Sequence, residues 1–270
     1  MSTYLWHESS FIPSQAHPGP FDVADSWRML ANAHSNALPL HLQRFESVAG
    51  PLPTGFVPAM LQLVGPGDLF PRISLAGGHL RLDIRPAPPA RRTTRLTYVQ
   101  APDPRTQPVV KGPDFPALAG FRAEYQADGT DDTAIVDASG AMVETTTGAL
   151  VAWDGETLIL PAGLALPSIT LRQVTRRASD LGIHTETRPI TPELAAECPL
   201  WFLNSLHGMS PVSELHAPPV SSIHHTARIP PGGSTGGGAA STRKRRATSS
   251  PAWLAALSTA FTLHADRNQS

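Results

Sequence analysis

Between Val109 and Trp153 the chain completes one secondary-structure cycle, with a lysine at its start and a glutamate on its return strand. Val109–Val110 is an apolar β-branched pair that Gly112-Pro113 breaks directly after Lys111, so the lysine is expected at a strand end. Pro113 suits a first helical turn, and Phe115, Leu118, Ala119 and Phe121-Arg122 continue at helical spacing until Gly129. Thr133–Asp137 reads as a strand, Ala138-Ser139-Gly140 as a turn, and Met142-Val143-Glu144 as the return strand. A lysine near a desolvated, cationic site loses proton affinity and becomes a nucleophile or proton carrier. Taken alone, the pair favours the plain reading of a surface lysine and a strand glutamate.

The remaining chain narrows the classes available. Lys and Arg number 21 against 22 Asp and Glu, which gives no electrostatic case for nucleic acid. No stretch offers the roughly 20 apolar residues of a membrane span, and MSTYLWHESSFIPSQ lacks the basic and apolar regions of a signal peptide. The one cysteine, Cys198, forms no internal disulfide and fits a reducing compartment, so a cytoplasmic protein is expected.

In chain order, residues 1–21 read as irregular, and Asp22–Leu30 as a strand. Leu38–Val48 is a short amphipathic helix carrying His41, Arg44 and Phe45, and Pro58–Val64 is a further helix. Phe70–Ala76 and His79–Arg85 form a hairpin about Gly77-Gly78, followed by a strand at Arg95–Gln100; PAPPARR at 86–92 is an exposed connection between them. Ala149–Asp154 and Thr157–Leu160 form a second hairpin about Gly155. Leu166-Pro167-Ser168-Ile169-Thr170 opens a helix that runs to about Leu181, and a helix start attracts anions through its free amides and dipole. Ile183–Thr187, a Thr191-capped helix to Glu197, and Leu200–Leu203 lead to the loop NSLHGMSPV at 204–212. Residues 217–250 are a Gly/Ser/Pro-rich low-complexity segment, with a basic run at Arg243–Arg246 read as solvated, and Pro251–Leu263 suits a C-terminal helix. His224-His225 lacks partner ligands, so no metal is expected.

These elements, in this order, resemble the class IV aminotransferases, the pyridoxal-phosphate (PLP) family that includes branched-chain and D-amino acid aminotransferases and aminodeoxychorismate lyase. The resemblance spans about residues 22–215 and implies an α/β (α+β) two-domain fold of the D-amino acid aminotransferase type. It places a small N-terminal domain at 1–108 and a larger PLP-binding domain at 109–216 with 251–270. It makes Lys111 the lysine that bonds the cofactor as a Schiff base, and Glu144 the carboxylate facing the pyridine nitrogen. The family helix H-x-x-R-L/F, matched by His41, Arg44 and Phe45, makes Arg44 a phosphate ligand. The family element L-P-G-I-T-R, matched from Leu166, assigns Ser168, Ile169 and Thr170 to the phosphate, and Ser205 is the matching hydroxyl of the last loop. The backbone amides of Leu206 and His207 would then face a substrate carboxylate.

Four departures accompany the match. Asp25-Ser26-Trp27 stands where the family has F-E-T/S, Ala149 where it has asparagine, Ser168 where it has glycine, and Leu171 where it has arginine, with Arg172 one residue later. The resemblance implies a homodimeric aminotransferase acting on an amino acid and a 2-oxo acid. Its alternatives are a lyase that eliminates pyruvate with the same cofactor, and a non-catalytic relative.

Overall fold

The computed structural model describes residues 1–17, 19–30, 35 and 37–217. The low-complexity segment beyond Ala217, His224-His225, the basic run and the expected C-terminal helix lie outside the described residues.

The first strands overturn the irregular reading of 1–21. β1 (Ser2–His7) and β2 (Ser10–Ser14) pair as an antiparallel hairpin across Glu8, whose φ of 54° is a turn conformation. Aromatic packing holds it: the Trp6 ring lies 4.9 Å from Phe11 and 5.1 Å from Phe56. β3 (Val23–Ser26), α1 (Leu38–Ala49), α2 (Phe56–Val64), β4 (Arg72–Ala76) and β5 (His79–Ile84) follow. The five strands form one sheet in the order β2-β1-β5-β4-β3. Phe45 of α1 and Phe56, Met60 and Val64 of α2 bury against it at helical spacing, with Ile73 and Leu82 from the sheet.

β6 (Thr94–Thr97) leaves this sheet. It joins a larger one formed with β7 (Asp132–Val136), β8 (Met142–Thr145), β9 (Ala149–Trp153), β10 (Thr157–Pro161), β11 (His184–Arg188), β12 (Leu200–Asn204) and β13 (Gly208–His216). The order is β11-β10-β9-β12-β13-β6-β7-β8. The chain therefore crosses between sheets within 85–93, ahead of the boundary expected at 108.

Helices α3 (Phe115–Tyr125), α4 (Ile169–Asp180) and α5 (Pro192–Glu197) complete the larger part. α3 connects β6 to its parallel neighbour β7, and α4 connects β10 to its parallel neighbour β11. Both are βαβ crossovers, the connection parallel strands require. α3 begins at Phe115 and ends at Tyr125, two residues later at its start and earlier at its end than the sequence predicts. Both faces of the large sheet are covered. Leu150 and Ala152 of β9 and Phe202 of β12 pack on one side, Val151, Trp153, Trp201 and Leu203 on the other against Val174 and Ala178 of α4. That double burial accounts for the unbroken apolar run ALVAW. No helix among the described residues is long and apolar enough to cross a membrane.

Candidate active site

Lys111 is not at a strand end. Residues 108–114 are turns and bends, with the Val110 amide turned back to the Gln107 carbonyl at 2.9 Å. The Asp114 carboxylate accepts the Thr106 amide at 3.0 Å, the Thr106 hydroxyl at 2.8 Å and the Gln107 amide at 2.8 Å. The Lys111 carbonyl accepts the Ala24 amide at 2.7 Å, which docks the loop on β3. Gly112 makes that approach possible: its φ is +127°, and a Cβ there would lie 2.8 Å from the Ala24 nitrogen.

So anchored, Lys111 lines a cavity of about 410 Å³. Burial pushes its ammonium down to about 8; Arg44 and Arg85 push the same way, against Asp25 and Glu144. The chain has only two lysines, Lys111 and Lys244, so Lys111 is the one lysine among the described residues.

Glu144, on β8, lines the same cavity and is 8% exposed. Burial raises its carboxyl, opposed by Arg105, the Leu166 amide and Lys111. Its Oε1 accepts from Arg105 Nη1, and its Oε2 accepts from the Leu166 amide at 3.2 Å. Arg105 in turn donates to both oxygens of Asp103, at 2.9 and 2.6 Å, and to the Leu164 carbonyl at 3.0 Å. A carboxylate has about four acceptor positions, so two bonds leave Glu144 able to take another donor.

Arg44 reaches the cavity from α1 and is gripped from behind. Asp25 Oδ2 accepts its Nε and Oδ1 its Nη2, both at 2.8 Å. Asp25, fully buried, also takes His41 Nδ1 at 2.8 Å. Burial alone would raise the Asp25 carboxyl; the His41 hydrogen bond and the Arg44 charge outweigh it and hold it at about 2. Arg44 Nη1 donates to the Pro167 carbonyl at 2.8 Å, tying α1 to the start of α4. Three of its five N–H groups are thereby used. The structure thus joins Asp25, the departure from the family's F-E-T/S, to the helix H-x-x-R: acid, histidine and arginine form one unit.

At the start of α4, Ser168 has φ −67° and ψ 125°, an ordinary extended conformation that does not require glycine. Its hydroxyl caps the helix by accepting the Leu171 amide at 3.2 Å. Ser168 and Ile169 line the cavity; Thr170 is buried and does not. Leu171 packs with the apolar cluster of Trp153 and Val174 beneath the helix, whereas Arg172 Nη1 reaches Gln43 Oε1 of α1 at 3.4 Å. Ala149, in place of asparagine, lines the cavity from β9.

The loop expected at 204–212 is the tight end of the β12–β13 hairpin. Ser205 and Leu206 line the cavity; His207 does not. The Leu206 and His207 amides, expected to face a substrate, both donate to Asn204 Oδ1 at 3.1 and 2.8 Å. Burial, with Arg91 and Arg28, holds His207 down at about 4.

The sequence reading passed over five cavity or supporting residues: Asp25, Arg85, Arg91, Arg105 and Arg122. A signal was present for two of them, since D-x-R at 103–105 and D at 25 are charges flanked by otherwise apolar or turn-forming segments. Most of PAPPARR is exposed as expected, but Arg91 turns inward to the cavity.

A buried low-affinity amine, an anchored glutamate and an arginine beside a helix start define a lysine-centred site on an α/β frame with room for an anion. The family model for amino-transferase class IV matches residues 80–215, half of the chain. The chain belongs to the class IV aminotransferase family. Among solved structures, it is similar to a branched-chain aminotransferase from Thermoproteus uzoniensis with norvaline, at TM-score 0.71 and 15% identity over 97% of this chain and 94% of that one. It is also similar to 4-amino-4-deoxychorismate lyase from Pseudomonas aeruginosa, at TM-score 0.60 and 21% identity over 72% and 82%. A third likeness is to an aminotransferase from Brucella abortus bound to the cofactor PLP, at TM-score 0.62 and 17% identity over 80% and 91%. Curated proteins gave no match.

Proposed function

We propose that this chain is a PLP-dependent aminotransferase that exchanges an amino group between an amino acid and a 2-oxo acid at Lys111. The observation that carries the reading is the single described lysine, its amine pushed down to about 8 in a cavity that also holds Glu144 and Arg44. The donor set fits the cofactor. Arg44 has two free N–H groups beside the first, unbonded amides of α4, a combination suited to a phosphate dianion. Ser168, Ile169 and Ser205 line the same cavity, and Glu144 retains an acceptor position for a ring N–H.

When bound, PLP supplies an aldehyde that condenses with primary amines and a ring that withdraws electrons from the carbon bearing the amine. Each residue here has a task around that chemistry. Near neutral pH an appreciable fraction of the Lys111 amine is unprotonated, as a nucleophile requires. Its Nζ would be the base that takes the proton from the α-carbon of the amino donor and, in the return half-reaction, gives one to the α-carbon of the 2-oxo acid. Glu144 is fixed by Arg105 and the Leu166 amide, so its charge would hold a protonated ring nitrogen without reorganisation. Asp25 and the Pro167 carbonyl hold Arg44 beside the start of α4, where it would bind the phosphate.

Purified protein incubated with PLP should turn yellow, and borohydride should then fix the cofactor on the peptide containing Lys111. Amino acid added alone should bleach the colour by converting the cofactor to its amine form. Release of pyruvate with the colour retained would instead assign the lyase reaction, and a colourless protein would assign the non-catalytic one. We also propose a homodimer, supported by Val48, Leu61 and Leu63, which are exposed on α1 and α2. Sedimentation equilibrium should give twice the chain mass of 28.7 kDa.

A further inference from the structure

Three pieces of the cavity wall are held from the smaller sheet. The Ala24 amide donates to the Lys111 carbonyl, and Asp25 backs Arg44 against the Pro167 carbonyl at the start of α4. The third piece is the β12–β13 turn. The residue that reaches it, Arg28, lies two positions beyond β3 and does not line the cavity.

Asn204 pairs with Gly208, so residues 205–207 form a three-residue loop, closed by Gly208 at φ 72°. Two of its backbone donors are satisfied from its own sheet: Asn204 Oδ1 accepts the Leu206 and His207 amides at 3.1 and 2.8 Å. Two of its acceptors are met from the other sheet. The Arg28 amide donates to the Ser205 carbonyl at 3.2 Å, and Arg28 Nη1 donates to the Leu206 carbonyl at 3.0 Å. The rest of that guanidinium is fixed as well, since Nε and Nη2 donate to the two oxygens of Asp68 at 2.9 and 2.6 Å. Asp68 stands next to the bridge in which Met29 and Leu69 exchange backbone hydrogen bonds at 2.8 and 3.0 Å. The fork cannot swing away from Leu206 without breaking a bidentate pair.

The Asp68 side chain is 51% exposed, and an ion pair so open to water adds little to stability. Its geometry has another consequence. A loop at the end of a sheet moves more readily than the strands it joins, and a binding group displaced by about 1 Å loses much of its effect. Ser205 and Leu206 line the cavity, so the clamp sets where they stand.

We infer that Arg28 is a positioning residue for the phosphate end of the site: through the backbone of Ser205 and Leu206 it holds the Ser205 hydroxyl in place, and Asp68 aims it. The identity of the ligand rests on the aminotransferase reading, whereas the hold on the turn is a property of the chain alone.

The test is absorbance titration of the full chain with PLP and with pyridoxal, which lacks the phosphate. Arg28→Gln should lose about 10-fold of its PLP affinity and keep its pyridoxal affinity. Arg28→Lys keeps the charge but not the fork, and should lose less. Ser205→Ala should weaken PLP alone, and adding Arg28→Gln to it should cost nothing further, because the two act as one unit. Before any PLP is added, amide exchange at Leu206 and His207 should run about 10-fold faster in Arg28→Gln, with the β9 and β12 amides unchanged. A loss shared equally by pyridoxal, an additive double variant, or unchanged exchange at Leu206 and His207 overturns the positioning role. Borohydride capture on wild type separates the two claims. Capture without these effects removes the role of Arg28 alone; absence of capture removes the aminotransferase reading, and the exchange rates still decide whether Arg28 holds the turn.

Discussion

Asp25→Asn is the perturbation whose size the structure fixes best. Asp25 is fully buried and takes Arg44 through both oxygens and His41 through one, each at 2.8 Å. The carboxyl is held at about 2 against its ordinary 3.8, worth roughly 2.5 kcal/mol at 1.36 kcal/mol per tenfold in proton affinity. Because that pKa is depressed, the stabilisation is fully present above pH 3.8 and is lost as pH falls towards about 2. The asparagine variant keeps the volume and removes the charge. At neutral pH it should lose roughly 2.5 kcal/mol, which lowers the melting midpoint by about 5–10 °C for a chain of this size. The same change frees Arg44 from its backing, so PLP affinity should fall as well. Scanning calorimetry of both proteins from pH 7 to pH 3 checks this, with the gap narrowing as acid is added. A variant that melts with wild type at pH 7, or a gap that does not change with pH, would refute the ion-pair argument.

Three further outcomes follow from the site. The rate at which Lys111 captures PLP should rise with pH and level off above about pH 8, as the ammonium at the bottom of the cavity gives up its proton; stopped-flow absorbance measures it. Glu144→Gln should still capture the cofactor on Lys111 but slow exchange of the substrate α-hydrogen with deuterated solvent by about 100-fold, followed by mass spectrometry. Gly148→Ala should destabilise the protein by about 1–3 kcal/mol in urea unfolding, because the new Cβ would lie 2.5 Å from the Phe202 ring and 2.6 Å from the Leu203 carbonyl.

Local pattern carried much of this fold. The apolar spacing of Leu42 and Phe45 placed α1, the Gly77-Gly78 turn placed the β4–β5 hairpin, and Ser168 and Thr191 marked the starts of α4 and α5 as real caps. The misses are non-local. Val109–Val110 reads as strand by propensity, but the Val110 amide closes a turn on the Gln107 carbonyl and the neighbouring Lys111 carbonyl is held by the Ala24 amide, so the segment is a loop. β1 and β2 were hidden by Pro13 and by a hairpin whose partner, β5, lies some seventy residues on. The same holds in the site. Lys111 and Glu144 carry a family spacing, whereas Asp25, Arg91 and Arg105 stand out at most as isolated charges, and their partners across the fold, Arg44, Asp131 and Glu144, are not named by the chain beside them. Leu171 and Arg172 show the converse: the arginine beside the apolar leucine is explained once α4 is seen to bury one face and turn the other to α1.

The central claim is that Lys111 is the residue that takes the cofactor. The direct measurement is borohydride reduction of the PLP-treated protein, followed by peptide mapping. The account predicts one modified lysine, on the peptide containing Lys111, and no colour or covalent label in Lys111→Ala. Label on Lys244, or equal labelling of wild type and Lys111→Ala, would contradict it.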